Sequence, residues 1–324
     1  LEPMMLIQQR RLTVGEIELN IREVGQGPLV IFCHGFPECG QSWISQLHAI
    51  AQAGYRAVAP DMRGYGRSDV PKEQEAYSMF HLVGDVVGLV GALNEKRAVV
   101  VGHDWGASVA WHCALLRPDL FQSVAAFSVP MFPRGSTPPI ASMPRTADHE
   151  FYQLYFQRPG EAEAELMKDL RSNLIRAAWH FSGDAGVTNL AGLSMVPRQG
   201  GWLADRPLPE KWPSWLNEDD LNEYVSGFER TGFTGALNWY RNLDRNWRLM
   251  APWQGVSVHV PALYMVGERD LLMGFPVMDW LLPRLRQWVP QLIHQEVVPD
   301  CGHWIQRERA DLVNQRLLDF LAKT

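Results

Sequence analysis

The five residues Gly102-His-Asp-Trp-Gly106 stand directly after the apolar run Arg97-Ala-Val-Val-Val101 and directly before a helical pattern, Ala107-Ser-Val-Ala-Trp-His-Cys-Ala-Leu-Leu116. Glycines two residues either side of a central position suit a strand that turns sharply into a helix and presents the central side chain as a nucleophile. That central residue is Asp104, where serine would be expected. A serine alkoxide attacks acyl carbon. A carboxylate is a poor acyl nucleophile but a competent one at saturated carbon bearing a strained or good leaving group. Asp104 therefore points to epoxides or alkyl halides.

Around this turn, short β-branched runs alternate with helical patterns, as in a mostly parallel sheet with helices on both faces. Strands are expected at Ile17 to Val24, Leu29 to Cys33, Arg56 to Ala59, Arg97 to Val101, Ser123 to Val129, Ala262 to Val266 and Gln295 to Val298. Helices are expected over Gln41 to Ala53, Met79 to Leu93, Trp105 to Arg117, Val277 to Trp288 and Ala310 to Ala322. Pro60 and Pro130 each stop a strand.

Between about 132 and 249 the pattern changes to helices and loops rich in proline, tryptophan and tyrosine, without a convincing strand. Pro133, Pro138, Pro139 and Pro144 make a stiff exit from the core. Helix is expected near His149 to Gln157, over Glu161 to Phe181 and over Asp219 to Asn246, with a long loop from Ser182 to Pro213 between them. So long a loop within a compact domain serves binding or gating. The expected organisation is a core of residues 1–131 and 250–324 with a helical cap, 132–249, inserted over the sheet's carboxyl edge, where open α/β sheets bind ligands.

A nucleophile on such a turn works with an acid and then a histidine in chain order, each at the carboxyl end of a strand. Asp270 follows the strand that begins at Ala262, and His303 follows Val297-Val-Pro-Asp-Cys-Gly302. Glu268 is the rival acid but lies nearer its strand, and His103 reads as a structural residue of the turn. The ester formed on Asp104 must then be hydrolysed. His303, polarised by Asp270, would deprotonate a water that attacks the carbonyl carbon of Asp104, and the resulting oxyanion needs two backbone donors. The Trp105 amide is one. The loop His34-Gly35-Phe36-Pro37 supplies the other through Phe36, with Gly35 as the small residue of its tight turn.

A net charge of −6, a pI near 5.9 and the lack of any Lys/Arg-rich block argue against a nucleic-acid or anionic-membrane surface. A small, uncharged partner is expected. Cys33, Cys39, Cys113 and Cys301 show no CxxC spacing and read as buried thiols in a reducing cytoplasm. No apolar stretch reaches the ~18 to 20 residues that span a bilayer. The first residues lack a signal-peptide core, and Leu1 to Pro3 read as a remnant ahead of the native start. No His-Glu-x-x-His or comparable cluster suggests a metal, and the triad chemistry requires no cofactor.

Six segments taken together carry a resemblance: His34-Gly-Phe-Pro-Glu38, Asp61-Met-Arg-Gly-Tyr-Gly-Arg-Ser68, Gly102-His-Asp-Trp-Gly106, Tyr152-Gln-Leu-Tyr-Phe-Gln157, Asn238-Trp-Tyr-Arg-Asn242 and Asp300-Cys-Gly-His-Trp304. From about residue 10 to the C-terminus the chain resembles the soluble epoxide hydrolases of the α/β-hydrolase superfamily. It is similar to the hydrolase part of the mammalian-type enzyme, without the additional N-terminal phosphatase domain of some relatives. The resemblance implies a mostly parallel eight-stranded sheet flanked by helices, with an inserted all-helical cap. It also implies addition of water to an epoxide, giving a vicinal diol through a covalent aspartyl ester.

The resemblance further implies that two cap tyrosines, Tyr152 and Tyr240, hydrogen-bond the epoxide oxygen. An alkoxide is a bad leaving group and a phenol can donate to it at neutral pH, so the chemistry needs such donors. Tyr155, one turn beyond Tyr152, and Tyr224 are their rivals. Asp61 to Ser68 lacks the Gly-Lys-Ser/Thr ending of a phosphate loop and reads as a structural loop supporting the oxyanion turn. The cap tryptophans Trp179, Trp202, Trp212, Trp215 and Trp239 read mostly as packing.

A haloalkane dehalogenase resembles the chain in its Asp-Trp step, but would want a halide donor where Phe36 stands. Fluoroacetate-type dehalogenases share the Phe but carry an Arg after the nucleophile, where this chain has Trp105. A non-catalytic ligand-binding member of the fold often loses a triad member; here none is missing. The expected partners are a small apolar epoxide and water, with no nucleic acid and no membrane insertion.

Overall fold

The computed structural model describes residues 5–324, so the expected remnant Leu1 to Pro3 lies outside the described residues. The sheet is built on strands whose every position is buried: β3 (Leu29–Cys33), β5 (Ala98–His103) and β9 (Ala262–Gly267), with β6 (Phe121–Phe127) nearly so. Near-continuous apolar runs are what strands covered on both faces require. Successive side chains leave on opposite faces. Val30, Phe32, Val99 and Val101 join Trp43, Leu47 and Leu317 on one side, while Ile31, Cys33 and Val100 join Leu82, Val86 and Val109 on the other.

The complete sheet has eight strands in the order β1-β2-β4-β3-β5-β6-β9-β10, with β1 at Gln8–Val14, β2 at Ile17–Val24, β4 at Arg56–Pro60 and β10 at Leu292–Val298. β2 runs antiparallel to β1 and β4, and the remaining neighbours are parallel. Helix α1 (Ile44–Gln52) follows β3, α2 (Met79–Ala92) precedes β5 and α3 (Trp105–Leu116) follows it. The mostly parallel sheet is as expected.

Several boundaries differ from the sequence reading. Strand β1 was not expected: it reads Gln-Gln-Arg-Arg-Leu-Thr-Val and exposes its first four residues. It is an edge strand held by its ladder to β2 and by the cross-strand pair Arg10–Glu23, at 2.9 Å. Pro60 is the last residue of β4 and pairs with Ile21. The single helix expected to Trp288 is an α-helix, Pro276–Leu281, followed by a 3-10 segment, Leu282–Gln287, that contains Pro283.

Between β6 and β9 the chain makes one long excursion, whose main helices are Glu161–Lys168, Leu170–His180, Glu218–Thr231, Thr234–Arg241 and Leu243–Leu249. It is not all-helical. β7 (His149–Phe151) pairs antiparallel with β8 (Met195–Pro197), and the Tyr152 amide donates to the Ser194 carbonyl beside them. The stretch from 182 to 213 is correspondingly less irregular than expected, holding a 3-10 turn at Gly183–Ala185 and a helical turn at Leu190–Leu193 as well as β8. Three-residue strands have too few positions to show a period of two.

Candidate active site

β3 has β4 on one side and β5 on the other, so the loops leaving β3 and β5 diverge at their carboxyl ends and open a crevice between them. Phe36 comes from the first loop and Asp104 from the second. Asp104 adopts φ 53° and ψ −123°, a conformation L-residues rarely take, at the step from β5 into α3. A Cβ on Gly102 would stand 2.0 Å from the Gly106 carbonyl oxygen, and one on Gly106 2.0 Å from that of Cys33. Both glycines are therefore required for β5, α3 and β3 to approach this closely. A Cβ on Gly35 would meet the Asp104 Cβ at 2.4 Å, which explains the small residue in the facing loop.

The Phe36 amide donates to Asp104 Oδ1 at 2.9 Å. Trp105 opens α3, where a helix's first amides have no intrahelical acceptor. His34 braces the loop: the Met62 amide donates to its Nε2 at 2.9 Å, so the ring proton is on Nδ1, which donates to the Gly35 carbonyl. Pro37 follows Phe36 through a cis peptide bond.

His303 joins two carboxylates. Its Nε2 is 3.5 Å from Asp104 Oδ2, and its Nδ1 donates to Asp270 Oδ1 at 3.0 Å. Asp270 is sealed off and also accepts from the Leu272 amide at 3.0 Å. Glu268 instead lies at the surface, where it accepts from the Asp300 amide. Burial pushes both aspartates toward protonation, but the hydrogen bonds and charge of His303 outweigh it and hold both below the ordinary carboxylate range. Burial also opposes the imidazolium, yet the two carboxylates together raise His303 well above its ordinary value.

Tyr152 and Tyr240 are buried and face each other across 6.1 Å between ring centroids, with Tyr240 edge-on to Trp105 at 5.2 Å and to Phe36 at 5.5 Å. Gln153 Nε2 donates to the Tyr152 hydroxyl at 2.9 Å, which leaves the phenolic proton free to be donated. Burial, and then the charge of Asp104, raise both phenols above their ordinary value. Of their rivals, the Tyr155 hydroxyl donates to Glu165 and Tyr224 lines a small separate cavity. A cavity of about 460 Å³ begins at Asp104, Trp105 and Tyr152 and has largely apolar walls, among them Met79, Val129, Met131 and Phe132.

The chain matches the alpha/beta hydrolase fold family over residues 28–310. It is 40% identical to epoxide hydrolase A of Mycobacterium tuberculosis over 316 residues, covering 97% of each chain. The chain belongs to the epoxide hydrolases. It is also 37% identical to the rat bifunctional epoxide hydrolase 2 over 305 residues, which are 94% of this chain and 53% of the rat protein. Its fold superimposes on that of an epoxide hydrolase from an endophytic Streptomyces with a TM-score of 0.91 at 42% identity, covering 99% of this chain and 96% of the other.

This epoxide hydrolase also brings to the site residues that the sequence reading left without a role. His103 is more than a turn residue: its Nδ1 faces Glu38 Oε2 at 3.0 Å and its Nε2 the His303 carbonyl at 2.7 Å. Glu38, buried, additionally accepts from the Gly35 amide and from Gln306, so one carboxylate joins the Phe36 loop to the His303 loop. Ser128, at φ 70°, places its Oγ 3.1 Å from His303 Nδ1. Glu38 and Gln153 stand inside the quoted segments His34-Gly-Phe-Pro-Glu38 and Tyr152-Gln-Leu-Tyr-Phe-Gln157; nothing local distinguishes Ser128 or Gln306.

Proposed function

We propose that this epoxide hydrolase forms a vicinal diol in two steps, with Asp104 as nucleophile, His303 as base, Asp270 as its orienting acid and Tyr152 and Tyr240 as proton donors. The Phe36 and Trp105 amides are assigned as the oxyanion donors. What supports this most is that one histidine touches two carboxylates in unequal surroundings: Asp104 faces the cavity and Asp270 is closed off from it. Only the first can reach a substrate.

In the first step Asp104 Oδ2 forms a bond to an epoxide carbon, the carbon–oxygen bond of the ring breaks, and a tyrosine proton passes to the released oxygen. Oδ1, already held by the Phe36 amide, becomes the ester carbonyl oxygen. Esterification removes the Asp104 charge, one of the two that hold the His303 proton, so the imidazole's pKa falls and the ring becomes competent as a base. In the second step Nε2 takes a proton from water as its oxygen adds to the ester carbonyl carbon, and the oxyanion rests on the two amides. Collapse releases the diol, whose oxygen takes the proton back from His303; the water's second proton returns through solvent to the tyrosinate left by the first step, and the carboxylate is restored with one oxygen from water.

Residues 132–249 act in this reading as a cap on the core formed by 1–131 and 250–324, since the two tyrosines come from the excursion and the triad from the sheet. The apolar walls suit an apolar epoxide. The four cysteines are free and buried, which fits a chain that works in the reducing cytoplasm.

The test is a trapping experiment with a simple aryl epoxide. His303→Gln should still be alkylated and should accumulate one substrate mass on Asp104, because the base serves the second step, and Asp104→Ala should form neither adduct nor single-turnover diol. An intact mass without the adduct, or diol formed by Asp104→Ala, would overturn the assignment.

A further inference from the structure

The cavity runs from Asp104 along one face of α3, the face that carries Ser108, His112 and Leu115 at spacings of four, four and three residues. At about 1.5 Å per residue His112 lies roughly 12 Å beyond the nucleophile. Its Nδ1 is 2.7 Å from the Ser108 carbonyl oxygen. A carbonyl only accepts, so Nδ1 carries the proton and donates, and Nε2 of the neutral ring is left as a lone-pair acceptor. Among the described residues no group donates to Nε2, and the cavity that His112 lines has largely apolar walls, Leu115, Val129 and Met131 among them. Burial holds the imidazole below its ordinary pKa, so the ring is neutral at pH 7.

We propose that His112 Nε2 accepts a hydrogen bond from the far end of the substrate, so that the enzyme favours epoxides bearing a hydroxyl or amide N–H roughly 12 Å from the ring over equally long epoxides ending in hydrocarbon. An acceptor in an apolar wall loses free energy unless a donor reaches it. A chain of about nine or ten bonds, at about 1.2 Å per bond when extended, spans from Asp104 to that nitrogen. A carboxylate end, itself an acceptor, gains nothing there. The proposal rests on the epoxide-opening reading of the cavity.

The probes are two terminal epoxides of about ten carbons, one with a hydroxyl on its far carbon and one ending in methyl, together with the diols each would give. The wild-type enzyme should favour the hydroxyl-ended epoxide in kcat/KM by roughly three- to tenfold, the effect of one neutral hydrogen bond. His112→Phe, which keeps a ring but has no acceptor, should bring that ratio to about one whatever it does to the two rates individually. His112→Gln, which offers an amide oxygen, should restore part of it. A wild-type ratio of one, or a His112→Phe ratio equal to wild type, overturns the proposal. Calorimetric binding of the two diols reads the same preference without turnover. An enzyme inert toward both epoxides but selective between the diols would remove the activity and keep the subsite, whereas turnover of both without selectivity in either measurement would do the reverse. If His112→Phe does not fold, the wild-type ratio and His112→Gln still decide.

Discussion

At the scale of single residues, catalysis turns on which groups carry protons at neutral pH. Tyr152 and Tyr240 are held above the ordinary phenol range by burial and by the nearby Asp104 charge, so both are protonated donors throughout the neutral range. Replacing both by Phe should lower the alkylation rate by roughly 10²-fold or more in single-turnover measurements, the range of general-acid groups; an effect confined to KM would make them binding residues. As the proposed nucleophile Asp104 must be ionised to attack, and its carboxyl is held down chiefly by His303 against the opposing effect of burial. Alkylation by the wild type should therefore be flat from pH 8 to about 5 and fail only below the ordinary carboxylate value near 3.9. His303→Gln removes the cation, Asp104 rises, and the acid limb of alkylation should move to higher pH. A limb that stays in place in that variant would mean the aspartate is held down by something else. That Asp104, Asp270 and His303 meet was legible in the sequence because chain order and strand ends constrain them. Glu38 and Ser128 were not, because their partners are set by where separate loops meet; Gln153 was not, because its bond to the neighbouring Tyr152 hydroxyl depends on side-chain orientation rather than on spacing.

At the scale of elements, the turn at Asp104 is a three-way contact of β3, β5 and α3 rather than a property of five residues. The glycine pattern revealed the turn, but not that Gly35, on a different strand's loop, is small for the same reason. The two contacts differ in what must yield. A methyl on Gly106 meets the Cys33 backbone, which cannot move without shifting β3, whereas one on Gly35 meets first the side chain of Asp104. Gly106→Ala should consequently cost stability at or above the ~1 to 3 kcal/mol usual for overpacking, seen as a lower urea midpoint. Gly35→Ala should cost less stability yet abolish adduct formation, since it displaces Asp104, the proposed nucleophile; equal midpoints with retained alkylation would show that the loop simply recedes. Elements with strong period were found within a few residues. β1 was missed because its first four residues are polar and exposed on both faces and its pairing depends on β2, and β7 and β8 because three residues show no period.

At the scale of the whole molecule, the segment Asp61 to Ser68 connects the sheet to the excursion. Asp61, buried, accepts from Asn20, from Arg22 and from the Gly40 and Arg67 amides, while Arg22 also reaches Glu223 at 2.7 Å. Arg63 forks onto Asp85 of α2 at 2.7 and 2.8 Å and offers its own carbonyl to the Trp239 indole at 3.0 Å. Trp239 packs edge-on to Tyr65 and Trp105 and precedes Tyr240, so the placement of a proposed proton donor passes through this loop. The sequence reading of a supporting loop was right in kind, but its reach into the excursion appears only once Trp239 is placed. Arg63 and Asp85 are 8% and 7% exposed, and a buried pair that loses one partner leaves a charge without compensation. Arg63→Met should accordingly lower unfolding free energy by about 3 to 5 kcal/mol in urea titration and slow alkylation, since the loop that holds Trp239 loosens with it. The double variant Arg63→Met with Asp85→Leu removes both charges and should recover most of that stability. If the double variant is no more stable than Arg63→Met alone, the loss comes from the loop's other contacts rather than from the stranded carboxylate, and the coupling between α2 and the excursion does not run through this ion pair.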